Sequence, residues 1–283
     1  MTQQTITPEL RQWIVEQASA GHKPEQVLAA MVSSGWDHDV AVQALEETLE
    51  KHLAEDAQAR GLPEPTRVPE PDLTQGRPVV RASDRDVKIL MALQHPRVIV
   101  FGGLLSDEEC DEMIVQSRQR LARSETVATG SEGSEVNAAR TSDGMFFERG
   151  ENPLIQRIER RIGALLDWPV DHGEGLQVLR YRPGAEYLPH YDYFDPTHVS
   201  SRAILKRGGQ RVGTLVMYLN TPDAGGATVF PDIKLDVAPI KGNAVYFSYD
   251  RPHPMTLTLH GGAPVVAGEK WVATKWLRQG VFT

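Results

Sequence analysis

Apolar residues recur at helical spacing over residues 7–53 and, beyond about residue 79, fall into short runs with the spacing of strands. Leu10, Trp13, Ile14 and Ala18 occupy i, i+3, i+4 and i+8, one face of a helix. Thr7-Pro8 precedes them as an N-cap followed by a proline at the first helical position. Gly21-His22-Lys23-Pro24 breaks the chain, and Val27, Leu28, Met31 and Val32 form a second stripe. Ser34-Gly35-Trp36-Asp37 closes that helix and caps a third, whose face is Val40, Ala41, Ala44, Leu45 and Leu49. Pro63, Pro65, Pro69 and Pro71 then alternate with Glu64, Glu70 and Asp72, a composition that favours extended chain over a packed element. The expected organisation is a three-helix domain over 1–55, a linker over 56–78 and a larger domain over 79–283.

In the larger domain Arg97–Phe101 reads as a strand. Ser106-Asp107-Glu108-Glu109 is a capping box that opens a helix to about Leu121, with Leu105 stapled to Cys110. Residues 124–139, rich in Gly, Ser, Ala, Glu and Thr, read as a loop that could close over a site. Asn152-Pro153 caps a helix carrying Leu154, Ile158, Ile162 and Leu165 on one face. Strand-like runs follow at Leu176–Tyr181, Val212–Leu219, Ala227–Phe230, Ala244–Phe247, Thr256–Leu259 and Trp271–Trp276. Helices gathered ahead of many strands predict an α+β, mainly β domain: a sandwich or barrel buttressed by helices on one side.

Charge narrows the function classes. The net charge is -8, and residues 1–75 carry all of it, so neither domain has the basic excess of a nucleic-acid binder. No apolar run is long enough to span a membrane. Cys110 is the only cysteine, which fits a reducing, cytoplasmic setting. The N-terminal helices resemble ubiquitin-associated bundles in size, helix order and the tight Gly35-Trp36 link. The resemblance implies a protein-binding module at residues 1–55; the alternative is a packing appendage with Trp13 and Trp36 as its core.

Candidate chemistry centres on His190-Tyr191-Asp192. In a strand, residues i and i+2 share a face, so His190 and Asp192 can aim an imidazole and a carboxylate at one point. His260, at the end of a strand-like run before Gly261-Gly262, supplies a third ligand. Two imidazoles and one carboxylate suit a non-haem Fe(II) oxygenase, leaving open positions on the metal. The same set also suits Zn(II) and a hydrolytic water, or a non-catalytic metal-holding protein.

Residues 97–278 resemble the prolyl 4-hydroxylase family of Fe(II)- and 2-oxoglutarate-dependent dioxygenases. The matching stretches are Arg140-Thr141-Ser142, Tyr181–Asp192, Gly225–Pro231, Lys241–Ala244 and His260–Trp276. The resemblance implies a double-stranded β-helix, with His190, Asp192 and His260 binding iron. It further implies that Lys270 pairs with the distal carboxylate of 2-oxoglutarate, and that Tyr181 and Thr214 line that end of the cosubstrate site. A dicarboxylate buried in a barrel needs such a cation to offset desolvation. Arg140, Tyr187 and Trp276 match substrate-binding positions. The implied reaction uses Fe(II), O2 and 2-oxoglutarate, with ascorbate as reductant, to hydroxylate peptidyl proline and release succinate and CO2. Related oxygenases act on other residues or small molecules, which remains the alternative.

Overall fold

The computed structural model describes residues 4–123, 126–127, 134–135 and 141–283. The chain forms two compact units, Met1–Glu64 and Pro65–Thr283. In the first, α1 (Pro8–Ser19), α2 (Pro24–Ser33) and α3 (His38–Ala59) bury Ile14, Val27, Met31, Ala41, Ala44 and Leu45. Trp13 and Trp36 pack against this cluster. Thr7 caps α1 by accepting from the Leu10 N–H, and Asp37 caps α3 by accepting from Asp39 and Val40. The third helix runs past residue 55 because Leu53-Ala54-Glu55 and Ala57-Gln58-Ala59 are strong helix formers. It stops where Gly61 takes φ +66°.

The stretch expected as a linker behaves differently in its second half. From Pro65 the chain is extended but lies on the second unit as a strap. The Thr66 N–H donates to the Asp250 carbonyl (2.8 Å) and the Glu70 N–H to the Leu166 carbonyl (2.9 Å). The Tyr246 hydroxyl donates to the Pro69 carbonyl, and Arg97 pairs with Glu70. Val68 and Leu73 pack against the core. Prolines keep the segment out of helices and sheets, while its free carbonyls and N–H groups find partners on the barrel.

In the second unit the strands are, in chain order, β1 (Val79–Ala82), β2 (Arg85–Leu93), β3 (Val98–Gly102), β4 (Ala122–Arg123), β5 (Thr126–Val127), β6 (Ser134–Glu135), β7 (Asp143–Phe147) and β8 (Leu176–Tyr181). They continue with β9 (Tyr187–His190), β10 (Arg211–Tyr218), β11 (Ala224–Gly225), β12 (Thr228–Phe230), β13 (Leu235–Val237), β14 (Ala244–Ser248), β15 (His260–Gly262), β16 (Val265–Ala267) and β17 (Lys270–Arg278). Helices α4 (Asp107–Arg118), α5 (Pro153–Leu165) and α6 (Val199–Leu205) complete it. A nine-stranded antiparallel sheet has the order β1-β2-β3-β14-β10-β17-β8-β7-β4, and a four-stranded sheet the order β13-β12-β15-β9. Together they form the double-stranded β-helix.

The central strands of the large sheet, β3, β14, β10, β17 and β8, are buried on both faces, and strand alternation divides their side chains between two cores. Val178, Leu215, Met217, Trp271 and Ala273 join Met113 of α4 and Ile155, Ile158 and Ile162 of α5. Leu179, Tyr181, Tyr218 and Val272 point the other way, onto Phe230 and Val237 of the small sheet. One expected strand is absent. Pro254–Thr256 is a 3-10 turn and Leu257 takes φ +53°, so the strand begins at His260 rather than ending before it. Thr256 contributes to the turn, its hydroxyl bonding to the His253 carbonyl and the Thr258 hydroxyl.

The helical layer is tied down by a buried guanidinium. Arg161 of α5, 2% exposed, donates to both oxygens of Glu109 in α4, both oxygens of Asp84 and the Leu104 carbonyl, at 2.7–2.9 Å. Arg161→Met leaves the Glu109 carboxylate buried without its main counter-charge. It is expected to cost about 3–5 kcal/mol, read as a lower denaturant midpoint. The Arg161→Met, Glu109→Gln double variant should recover part of that loss.

A candidate metal centre facing a buried lysine

Strands β9 and β15 pair antiparallel with His190 directly opposite His260, which brings the two rings to 4.4 Å between centroids. Asp192 lies just beyond the end of β9, in a bend rather than on the strand face expected from the sequence. The turn still carries its carboxylate back between the histidines. His190 Nε2 lies 3.5 Å from Asp192 Oδ1 and His260 Nε2 3.5 Å from Asp192 Oδ2. One ligand atom from each residue falls within 4.8 Å of the others.

The rings are held in the tautomer a metal needs. His190 Nδ1 is 2.9 Å from the Leu188 carbonyl and His260 Nδ1 is 3.0 Å from the Thr258 carbonyl. A carbonyl only accepts, so each Nδ1 carries a proton and each Nε2 is the atom turned toward Asp192. Burial pushes His260 down to about 4, against the pull of Asp192, so it is neutral at pH 7. Burial pushes the Asp192 carboxyl up, but His260, His190 and Arg211 hold it well below the usual carboxylate range. Two imidazole Nε2 atoms and one carboxylate fit a divalent metal. Tyr187 stacks on His190 at 3.7 Å, and His260 is flanked by Phe247 at 4.4 Å, so neither ring is free to swing.

Lys270 faces the same cavity. It opens β17 opposite Tyr181 of β8 and is 4% exposed. Its Nζ lies 5.5 Å from the Tyr181 ring and 6.0 Å from the Tyr218 ring. Among the described residues no carboxylate forms an ion pair with it, and burial alone lowers it to about 8. Gly226 makes room for it: a Cβ there would stand 3.1 Å from Lys270 Cδ. A buried cation left unpaired is costly unless an anion arrives, and this one looks across a cavity at a metal-binding triad.

His190, Asp192, His260, Lys270, Tyr181, Thr214, Tyr187 and Trp276 all line this cavity. Arg140 and most of the 124–139 loop lie outside the described residues. Thr214 needs correction: its hydroxyl donates to Asp192 Oδ2 at 2.7 Å, committing it to the metal end rather than to the cosubstrate's distal end. The family resemblance that singled out Thr214 does not show which end of the cavity the residue occupies. Thr228, which sequence reasoning passed over, also lines the cavity and accepts from the Tyr218 hydroxyl at 2.8 Å. Alternation along β17 could have found further lining residues, because Lys270, Val272, Thr274 and Trp276 share one face. Arg211 escaped notice as well. It pairs with the buried Glu174 and lies 4.0 Å from the Trp276 ring centroid, and the buried Trp276 indole N–H has no hydrogen-bond partner among the described residues.

Residues 176–278 match the 2OG-Fe(II) oxygenase superfamily. The probable prolyl 4-hydroxylase 3 of Arabidopsis thaliana is 38% identical, over 66% of this chain and 71% of its own. Prolyl 4-hydroxylase 1 of the same organism is 39% identical, over 70% of this chain and 77% of its own. The viral collagen prolyl hydroxylase of Paramecium Bursaria Chlorella virus-1, solved with 2OG, aligns with a TM-score of 0.49 and 30% identity, covering 64% of this chain and 95% of that one. With ligand-bearing strands, buried lysine and relatives in agreement, the chain belongs to the prolyl 4-hydroxylase family of 2OG-Fe(II) dioxygenases.

Proposed function

We propose that this enzyme hydroxylates prolyl residues of a peptide or protein, with Fe(II) held by His190, Asp192 and His260 and 2-oxoglutarate anchored by Lys270. The observation that carries the reading is the buried Lys270, without an ion-pair partner among the described residues, facing the triad across one cavity. When bound, the metal and cosubstrate supply O2 activation, one oxygen atom entering the substrate C–H bond while the other leaves in succinate as CO2 is released. The chain's own task is placement. The Nδ1–H bonds of His190 and His260 orient both imidazoles, and Lys270 neutralises the far carboxylate where water is excluded. Tyr187 and Trp276 give the cavity apolar aromatic faces of the kind a pyrrolidine ring packs against. The Trp276 N–H is available to a substrate carbonyl, and ascorbate serves as the reductant.

The test is a peptide screen for a +16 mass change that depends on Fe(II) and 2-oxoglutarate and is matched by succinate. Full activity with zinc and no 2-oxoglutarate would overturn the assignment, whereas a mass gain on a residue other than proline would correct the substrate alone.

Lys270 also sets a pH dependence. Below about 8 its amine is protonated and ready for the dianion. As pH rises above that value binding must draw a proton from solution, so the Kd for 2-oxoglutarate should rise about tenfold per pH unit. Lys270→Arg keeps its charge throughout this range. Calorimetric titration should show weaker binding for that variant but no such rise.

A further inference from the structure

We propose that Tyr249 and Thr214 form a directed chain of hydroxyl donors that positions the Asp192 carboxylate for metal binding. Thr214 Oγ1 lies 2.7 Å from Asp192 Oδ2, and the Tyr249 hydroxyl lies 2.9 Å from Thr214 Oγ1. Direction follows from the donor inventory. An ionised carboxylate can only accept, so the single Thr214 proton goes to Asp192. The Thr214 oxygen then has only lone pairs to offer, and Tyr249 must donate to it. All three residues are buried: Thr214 0%, Tyr249 2% and Asp192 8% exposed.

The scaffold holds both hydroxyls in place. Thr214 is on β10, paired with Phe247 of β14. Tyr249 follows the end of β14, and its N–H donates to the Val212 carbonyl at 3.1 Å. Asp192 needs such a hold because it lies beyond β9, where no strand ladder fixes it. The two histidines take their positions from paired strands, whereas the carboxylate takes its position from this chain. With Oδ2 engaged by Thr214, a lone pair of that oxygen is committed before metal arrives, which favours Oδ1 as the ligand atom. Tyr249 is a positioning residue that acts through Thr214.

The inference rests on the assignment of His190, Asp192 and His260 as the metal site, and the experiment separates the two. Co(II) is titrated calorimetrically into full-length wild type and the His260→Ala, Tyr249→Phe, Thr214→Val, Thr214→Ser and Thr214→Val, Tyr249→Phe variants. The visible spectrum of each Co(II)-loaded protein and its metal-free melting temperature are recorded alongside. Groups that orient a metal ligand typically affect affinity by about 10–100-fold. Thr214→Val should weaken Co(II) binding by about that amount, Tyr249→Phe by about tenfold, both with an altered Co(II) spectrum. Thr214→Ser, which keeps the hydroxyl, should restore both readouts, and it remains informative if the valine variant does not fold. The double variant should bind no worse than Thr214→Val alone, because the Tyr249 hydroxyl reaches the carboxylate by hydrogen bonds through Thr214. Wild-type affinity and spectrum in Tyr249→Phe and Thr214→Val, with binding lost in His260→Ala, would overturn the chain while sparing the site. Additive losses in the double variant would also overturn it. Equal Co(II) binding by wild type and His260→Ala would overturn the metal-site assignment beneath both.

Discussion

His260→Ala is expected to abolish coupled turnover, lowering succinate formation by about three orders of magnitude or more, the rate equivalent of about 4 kcal/mol. The substitution leaves His190 and Asp192 as a two-point site and opens a hole beside Phe247 and Phe230, against which His260 packs at 4.4 and 6.0 Å between centroids. Metal affinity should fall with activity. The fold should survive, because the register of β15 rests on its pairs with β9 and β12 and not on the imidazole. The measurements are succinate yield under saturating Fe(II) and 2-oxoglutarate, metal titration, and circular dichroism as a control for folding. Activity retained above a tenth of wild type would remove His260 from the ligand set.

Lys270→Ala is expected to act on the cosubstrate alone. Loss of a charge-assisted contact to a buried carboxylate costs about 3 kcal/mol, a weakening of 2-oxoglutarate binding by about two orders of magnitude. Removing an unpaired buried amine also relieves its desolvation, so the metal-free variant should be no less stable than wild type. The expected signature is therefore a large rise in the KM for 2-oxoglutarate, a much smaller change in kcat, and an unchanged Kd for the metal. A variant with unaltered KM would place the distal carboxylate elsewhere in the cavity.

The sequence was informative where function depends on spacing along one segment. The helix stripes and caps of α1–α3, the capping box of α4 and the strand Leu176–Tyr181 all show local periodicity. His190 and Asp192 were legible as a pair, and Lys270 was legible through the stretch that follows His260. What could not be read is set by the meeting of distant segments. Thr214 and Thr228 are both strand threonines, and only the packing of β10 and β12 across the cavity puts one at Asp192 and the other beside Tyr218. The ion pairs of Glu174 with Arg211 and Arg278 span 37 and 104 residues. β17 is buried on both faces, so alternation groups Lys270, Val272, Thr274 and Trp276 on one face but does not say which face meets the cavity. The strap at 65–78 misled for a related reason: proline content predicts extension but not what the extended chain lies against.

The ladder that sets His190 opposite His260 has a consequence for how such an enzyme can diversify. The distance between the two imidazoles is fixed by hydrogen bonds between β9 and β15, not by the chain that joins them. That chain includes α6 and the turn through Gly208-Gly209, and these could lengthen, shorten or change composition while the pair stays opposed. Only a slip in strand register would turn one histidine to the other face. The opposition of the two imidazoles is thus independent of the length and composition of α6 and the Gly208-Gly209 turn, whereas Tyr187, on the same ladder and stacked on His190, is not independent of it.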